Sequence, residues 1–144
     1  MHRLEKEMKA AEHLLYVSLK YTKTCDVILN LIHRWKQLVE IAIDMILEKA
    51  KKRKKVKVIP ENPRSKMDAI NVLLKKEEIV IKTMNLYLLF RRIPTLEVMK
   101  ECEFRKNVTL RVLDKEEIEI NLDKLKEWQD ILENFIKFVG HYLA

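Results

Sequence analysis

The chain carries one glycine, three prolines and two cysteines in 144 residues, and each scarcity excludes something. A turn-rich β-sandwich or a dinucleotide fold needs positive-φ positions, which glycine adopts at least cost, so a single glycine argues against both. Cys25 and Cys102 lie far apart and outside any Cys-x-x-Cys or Cys/His cluster. They read as reduced, partly buried apolar residues rather than a disulfide framework or zinc site. No apolar run reaches the roughly 18 residues of a membrane span, and the opening Met1-His2-Arg3-Leu4-Glu5-Lys6-Glu7 is no secretion signal. The expectation is a cytoplasmic protein without membrane contact.

What the sequence does hold is 48% apolar and 35% charged residues, too apolar for a chain that cannot collapse. Its length fits one helical domain, residues 1–144, burying roughly 68–70% of its unfolded surface. Abundant Lys, Glu and Arg beside only two glutamines, Gln37 and Gln129, resembles a hyperthermophile composition. In such organisms cytosolic disulfides occur, so a Cys25–Cys102 bond stays open.

The net charge of +7 is concentrated in one place. Lys49-Ala50-Lys51-Lys52-Arg53-Lys54-Lys55-Val56-Lys57 holds seven cations and no acid; the other 22 cations match the 22 anions. The protein is a neutral domain with a basic knot, and nucleic-acid affinity follows where cations cluster. One or two cations would complement a helix dipole, not seven. The remaining alternatives are a solvated helix end and a phosphate-binding segment using Lys51, Lys52, Arg53, Lys54, Lys55 and Lys57. No aromatic is interleaved there, so base stacking is not indicated at the knot.

From Leu4 to Ala50 neither Gly nor Pro interrupts a helical pattern of apolar residues. One helix of that span would be ~69 Å long, against a radius of gyration of ~14–15 Å for a compact chain of this size. A break is expected at Tyr21-Thr22-Lys23-Thr24-Cys25-Asp26, where Thr24 or Asp26 can cap a new helix. This predicts helices over 4–21 and 25–53; a single rod in an extended dimer is the alternative. The loop Pro60-Glu61-Asn62-Pro63 precedes Ser65-Lys66-Met67-Asp68, a capping-box variant opening a third helix to about Leu74. The pattern resumes over Ile79–Arg91 and stops at Pro94. After Arg105 apolar residues alternate, Val108, Leu110 and Val112, then Ile118 and Ile120, which predicts a β-hairpin near 105–121. Asn121 caps a last helix with Leu125, Trp128, Leu132, Phe135, Val139 and Tyr142 inward and Gly140 near a frayed end. The fold class is therefore mainly α, a four- or five-helix bundle with one short hairpin, and the basic segment and loop occupy 49–64.

Glu40, Asp44 and Glu48 recur at i, i+4 and i+8 among apolar residues. Three carboxylates on one face suit a divalent metal or acid–base chemistry, but lysines flank them and they fit a narrow solvent stripe on a nearly buried helix. Leu86-Tyr87-Leu88-Leu89-Phe90 sweeps a whole helix circumference, more than a two-layer monomer covers. Either a third layer or a second subunit must cover it; in a chain this short a two-fold partner is the more economical reading, which points to Ile41, Met45, Leu86, Tyr87, Leu89 and Phe90 as interface residues. His2, His13, His33 and His141 lack metal-ligand spacing, and Ser18 and Ser65 lack elbow glycines and a base. No catalytic, metal or cofactor residue is indicated.

Ala10-Ala11-Glu12-His13-Leu14-Leu15-Tyr16 and Ala42-Ile43-Asp44-Met45-Ile46-Leu47 resemble the small prokaryotic HEPN-type helical bundles, and the chain looks like archaeal proteins of that sort. The likeness spans residues 4–92 and is carried by bundle patterning. It implies a bundle and a dimer. Active members of that superfamily are ribonucleases that use an Arg followed, after four to six residues, by a His across a dimer interface. None of the four histidines here has an Arg at that distance upstream. The sequence thus reads as a non-catalytic interaction or assembly protein, homodimeric and without cofactor. The alternative is a sequence-nonspecific nucleic-acid-binding protein using the 49–57 cluster; a HEPN-type nuclease is third.

Overall fold

Thr24 begins the central element. In the computed structural model, which describes residues 1–144, its hydroxyl accepts a hydrogen bond from the Val27 N–H at 3.4 Å. That satisfies one of the four orphan donors of a helix start. The helix, α2, then runs Cys25–Lys52. Preceding it, α1 is built of three continuous segments: His2–His13, a π-helical turn Leu14–Ser18, and Leu19–Tyr21. The break expected near Thr24 is present, and the single rod is excluded.

Twelve side chains of α2 are buried, from Cys25 to Ala50, because it packs against each of the other helices. These are α1, α3 (Pro63–Leu73), α4 (Glu78–Arg92) and α5 (Leu122–Leu143). Five helices and a small sheet make an all-α bundle with one β appendage. Asn62 rather than Ser65 opens α3: its Oδ1 accepts the Ser65 N–H at 2.7 Å. Pro63 sits at the first helical position, where a missing N–H costs nothing. A 3₁₀ turn, Ile93–Thr95, carries Pro94 beyond α4. Asn121 caps α5 as expected, accepting the Lys124 N–H at 2.9 Å. Gly140 does not fray that helix, which continues to Leu143; a Cβ there would make ordinary contact with Met1.

The expected hairpin is two strands of three. β1 (Glu97–Glu101), β2 (Thr109–Leu113) and β3 (Glu117–Ile120) form an antiparallel sheet in that order. Val98 pairs with Val112, and Val112 with Ile118. Leu110, Val112 and Ile120 are buried on its inner face, and the sheet abuts α2 and α5.

The core is one cluster of 34 buried residues, with Trp35 at its aromatic centre. Its ring stacks on Phe90 at 5.9 Å and meets Trp128 edge-on at 6.4 Å. The indole N–H donates to Gln129 Oε1 at 3.2 Å, and Gln129 Nε2 donates to Glu133 at 3.2 Å. This gives buried polar atoms the partners that low dielectric demands. Cys25, buried, and Cys102, exposed, are free thiols. No helix is long and apolar enough to cross a membrane.

Candidate nucleic-acid interface

A helix ends where a residue adopts the left-handed conformation, usually glycine. With none available, Lys54 takes that position at φ 61°. The Lys55 N–H donates to the Ala50 carbonyl at 2.9 Å and the Lys54 N–H to the Lys51 carbonyl at 3.0 Å. This pair of bonds is a Schellman motif, so the knot is wound into a fixed turn at the end of α2. Lys51, Lys52, Lys54, Lys55 and Lys57 are all exposed. None of them joins an ion pair.

Arg53 behaves differently. Its Nη1 donates to the Tyr142 carbonyl and its Nη2 to the Ala144 carbonyl, each at 2.8 Å, and its guanidinium lies 5.1 Å from the centre of the Tyr142 ring. The final turn of α5 has carbonyls without intrahelical donors, and Arg53 supplies two. Two of its donors therefore hold the end of the chain at α5, which sets Arg53 apart from the unpartnered lysines of the knot.

Beside the knot lies a shallow groove of about 390 Å³ lined by Lys55, Val56, Asp68, Ala69, Val72 and Leu73. Two residues beyond Leu73 come Lys75 and Lys76, both exposed and without ion pairs, followed by Glu77 and Glu78. Sequence reasoning did not attach the end of α3 to the knot; only the packing of α3 on α2 sets Val72 and Leu73 beside Lys55. Other cations of the chain have different surroundings. Arg92 pairs with Asp114. Arg111 is enclosed by Glu101 at 2.7 Å, Glu117 at 3.2 Å and Glu119 at 2.8 Å. Hydrogen bonding to these carboxylates raises the Arg111 pKa further and lowers that of Glu101. Arg91 lies over the Tyr87 ring at 5.9 Å. Arg105 and Lys106 follow β1, at the opposite end of α2, whose 28 residues span about 42 Å.

The carboxylate stripe of α2 divides between neighbours. A cleft of about 260 Å³ is lined by Glu40, Ile43, Asp44, Pro63, Lys66 and Tyr87. Tyr87 donates its phenol proton to Glu40 Oε2 at 2.9 Å, and Lys66 donates to Asp44 at 2.8 Å. Burial first, and then the Glu40 carboxylate, push the Tyr87 pKa above its ordinary value. Glu48 stays exposed. These contacts tie α4 and α3 to α2, a structural use of two of the three carboxylates.

The expected interface residues separate into two groups. Leu86, Tyr87 and Phe90 are buried within the single chain, because α4 is covered by α2, α3 and α5 rather than by one layer. They offer no surface to a partner. Ile41, Met45 and Leu89 are half-buried, and the first two share a face of α2 at i, i+4 spacing.

No family model, curated protein or solved structure matches the chain.

Proposed function

We propose that the protein binds nucleic acid through the phosphate backbone, without reading sequence, using Lys51, Lys52, Lys54, Lys55 and Lys57. One observation carries this reading. These five lysines stand exposed and free of carboxylates on a fixed helix terminus, whereas Lys66, Lys100, Arg92 and Arg111 are each neutralised by an acid. Clustered free cations release counterions from phosphates, which gives affinity that falls with salt. Five contacts on duplex DNA correspond to a log–log salt slope of about −4.5, a loss of roughly 500-fold between 50 and 200 mM salt.

Fluorescence anisotropy with labelled duplex DNA and single-stranded RNA tests this. Salt-sensitive binding is expected, and replacing all five lysines by Gln should abolish most of it. Absence of binding at 50 mM salt, or an unchanged affinity in the five-fold variant, overturns the reading. A homodimeric assembly role is the second reading, favoured by the half-exposed Ile41 and Met45 on one face. Sedimentation equilibrium distinguishes a 17.3 kDa species from twice that mass, and a single 17.3 kDa species at high concentration removes it.

A further inference from the structure

Two large aromatic rings lie almost fully in solvent at the end of the bundle opposite the knot. Tyr21 is 78% exposed and Phe104 is 74% exposed, while Trp35, Tyr87, Phe90 and Phe135 are buried. Tyr21 closes α1 and Phe104 sits between β1 and β2, yet the Phe104 N–H donates to the Lys23 carbonyl. That bond brings Phe104 within two residues of Tyr21 along the chain.

The loop is held, not free. Cys102 and Phe104 both adopt positive φ, 53° and 66°, a conformation that costs an L-residue roughly 1–2 kcal/mol. Glu103, between them, accepts the Cys25 N–H at the start of α2, at 3.4 Å. The Cys25 thiol donates to the Thr109 carbonyl at 3.4 Å. Strain of this kind persists only where surrounding contacts impose it, and it concentrates at functional sites. Its consequence is a phenyl ring kept out of the core.

One cation lies beside the Tyr21 ring and two follow Phe104 in the chain. Lys20 Nζ lies 5.9 Å from the centre of the Tyr21 ring, Lys23 donates to the Lys20 carbonyl, and Arg105 and Lys106 follow Phe104, exposed and without ion pairs. The acids close by are engaged: Asp26 with Lys100 at 2.9 Å, Glu103 with the start of α2. Two separate rings form no continuous apolar area of the roughly 800 Å² that a stable protein partner covers. Exposed aromatics interleaved with free cations are what successive bases and phosphates of a single strand require.

We infer that Tyr21 and Phe104, with Lys20, Arg105 and Lys106, form a platform on which unpaired nucleic-acid bases stack. The site is independent of the lysine knot, some 42 Å away along α2, and adds a preference for single strands that the knot lacks.

Anisotropy with a labelled oligonucleotide of about five nucleotides, too short to reach the knot, tests the platform at low salt. The Tyr21→Ala/Phe104→Ala variant should bind it at least tenfold more weakly. Tyr21→Phe and Phe104→Tyr should restore binding, and Arg105→Gln/Lys106→Gln should reduce the salt slope by about 1.4. The five-lysine variant should bind the short oligomer as the wild type does, so either site can fail without the other. Both rings are exposed, and circular dichroism confirms that the variants fold. The inference is overturned if the short oligomer does not bind, if the double alanine variant binds it equally, or if blunt duplex competes as well as single strand. It is also overturned if the alanine variant loses self-association alone, which would assign the surface to a second copy of the chain.

Discussion

Replacing Arg53 and replacing Lys54 should give opposite results, although the residues are adjacent and carry the same charge. Arg53 makes two charge-assisted hydrogen bonds to the end of α5 and one cation–π contact. Buried, such bonds would be worth about 1.5–3 kcal/mol each. At an exposed helix end water replaces part of what is lost, so Arg53→Gln should cost about 1–2 kcal/mol. Unfolding entropy of roughly 2.1 cal/mol/K per residue over this chain makes that a fall in Tm of about 3–7 °C. Lys54 has no side-chain partner, and Lys54→Gln should leave Tm within about 2 °C of wild type. Lys54→Gly removes the same charge but also relieves the left-handed backbone, so Tm should rise. Binding should show the reverse order. Lys54→Gln should reduce the duplex salt slope by about 0.9, one phosphate contact, while Arg53→Gln should change it less, because Nη1 and Nη2 are already committed to α5. Thermal denaturation by circular dichroism and an anisotropy salt titration on the same preparations give both readouts. If Arg53→Gln melts with the wild type and flattens the salt slope as Lys54→Gln does, the α2–α5 clasp is absent and Arg53 belongs with the lysines.

Gln129 is buried and serves the Trp35 indole, so Gln129→Leu should destabilise by about 1–3 kcal/mol by stranding that N–H. In urea titrations the Trp35→Phe/Gln129→Leu double variant should lose less than the sum of the singles; strict additivity would mean the bond carries no coupling. Cys25 is pushed up from 9.0 to about 11, first by burial and then by the nearby Glu103 carboxylate. The folded state thus holds its proton longer than the unfolded state. This contribution is intact below pH 9 and declines between pH 9 and 11, by roughly 2–3 kcal/mol. Cys25→Ala should flatten that stretch of the stability profile, and an identical decline in the variant would exclude the thiol as its source. Tyr87, also raised, acts in the same direction from pH 10 upward.

The helices were readable because burial imposes a period. The buried residues of α2 and α5 follow the 3.6-residue repeat closely, and Thr24 and Asn121 are caps by residue type and place. The start of α3 was misplaced by three residues because Ser65-x-x-Asp68 resembles a capping box, whereas Asn62-Pro63 carries the operative signal. β1 was missed for a physical reason. In Glu97-Val98-Met99-Lys100-Glu101 only Val98 alternates as an inward apolar residue, and the segment is a strand because β2 pairs with it. The apolar run at 86–90 admits a third layer or a second copy as its cover, and a local window cannot choose between them. The fold supplies the layer: α4 lies among three helices, so Leu86, Tyr87 and Phe90 need no second copy to cover them.

The two ends of the bundle differ in legibility for the same reason. The knot is contiguous, so its charge is visible in one line of sequence; what cannot be seen there is that Arg53 turns away to carbonyls 89 and 91 residues further on. The aromatic end is assembled from residues more than 80 positions apart, joined by one main-chain hydrogen bond to Lys23. Nothing in a local window couples Tyr21 to Phe104. Glycine scarcity links both ends. With one glycine, used inside α5, every left-handed turn must be made by a residue with a side chain, and those turns fall at Lys54, Cys102 and Phe104. Such a residue carries its side chain into solvent while its backbone is fixed by neighbours. The fold thereby presents a cation at one end and a phenyl ring at the other, each on a main chain held by its neighbours, which lowers the backbone freedom that binding would otherwise cost.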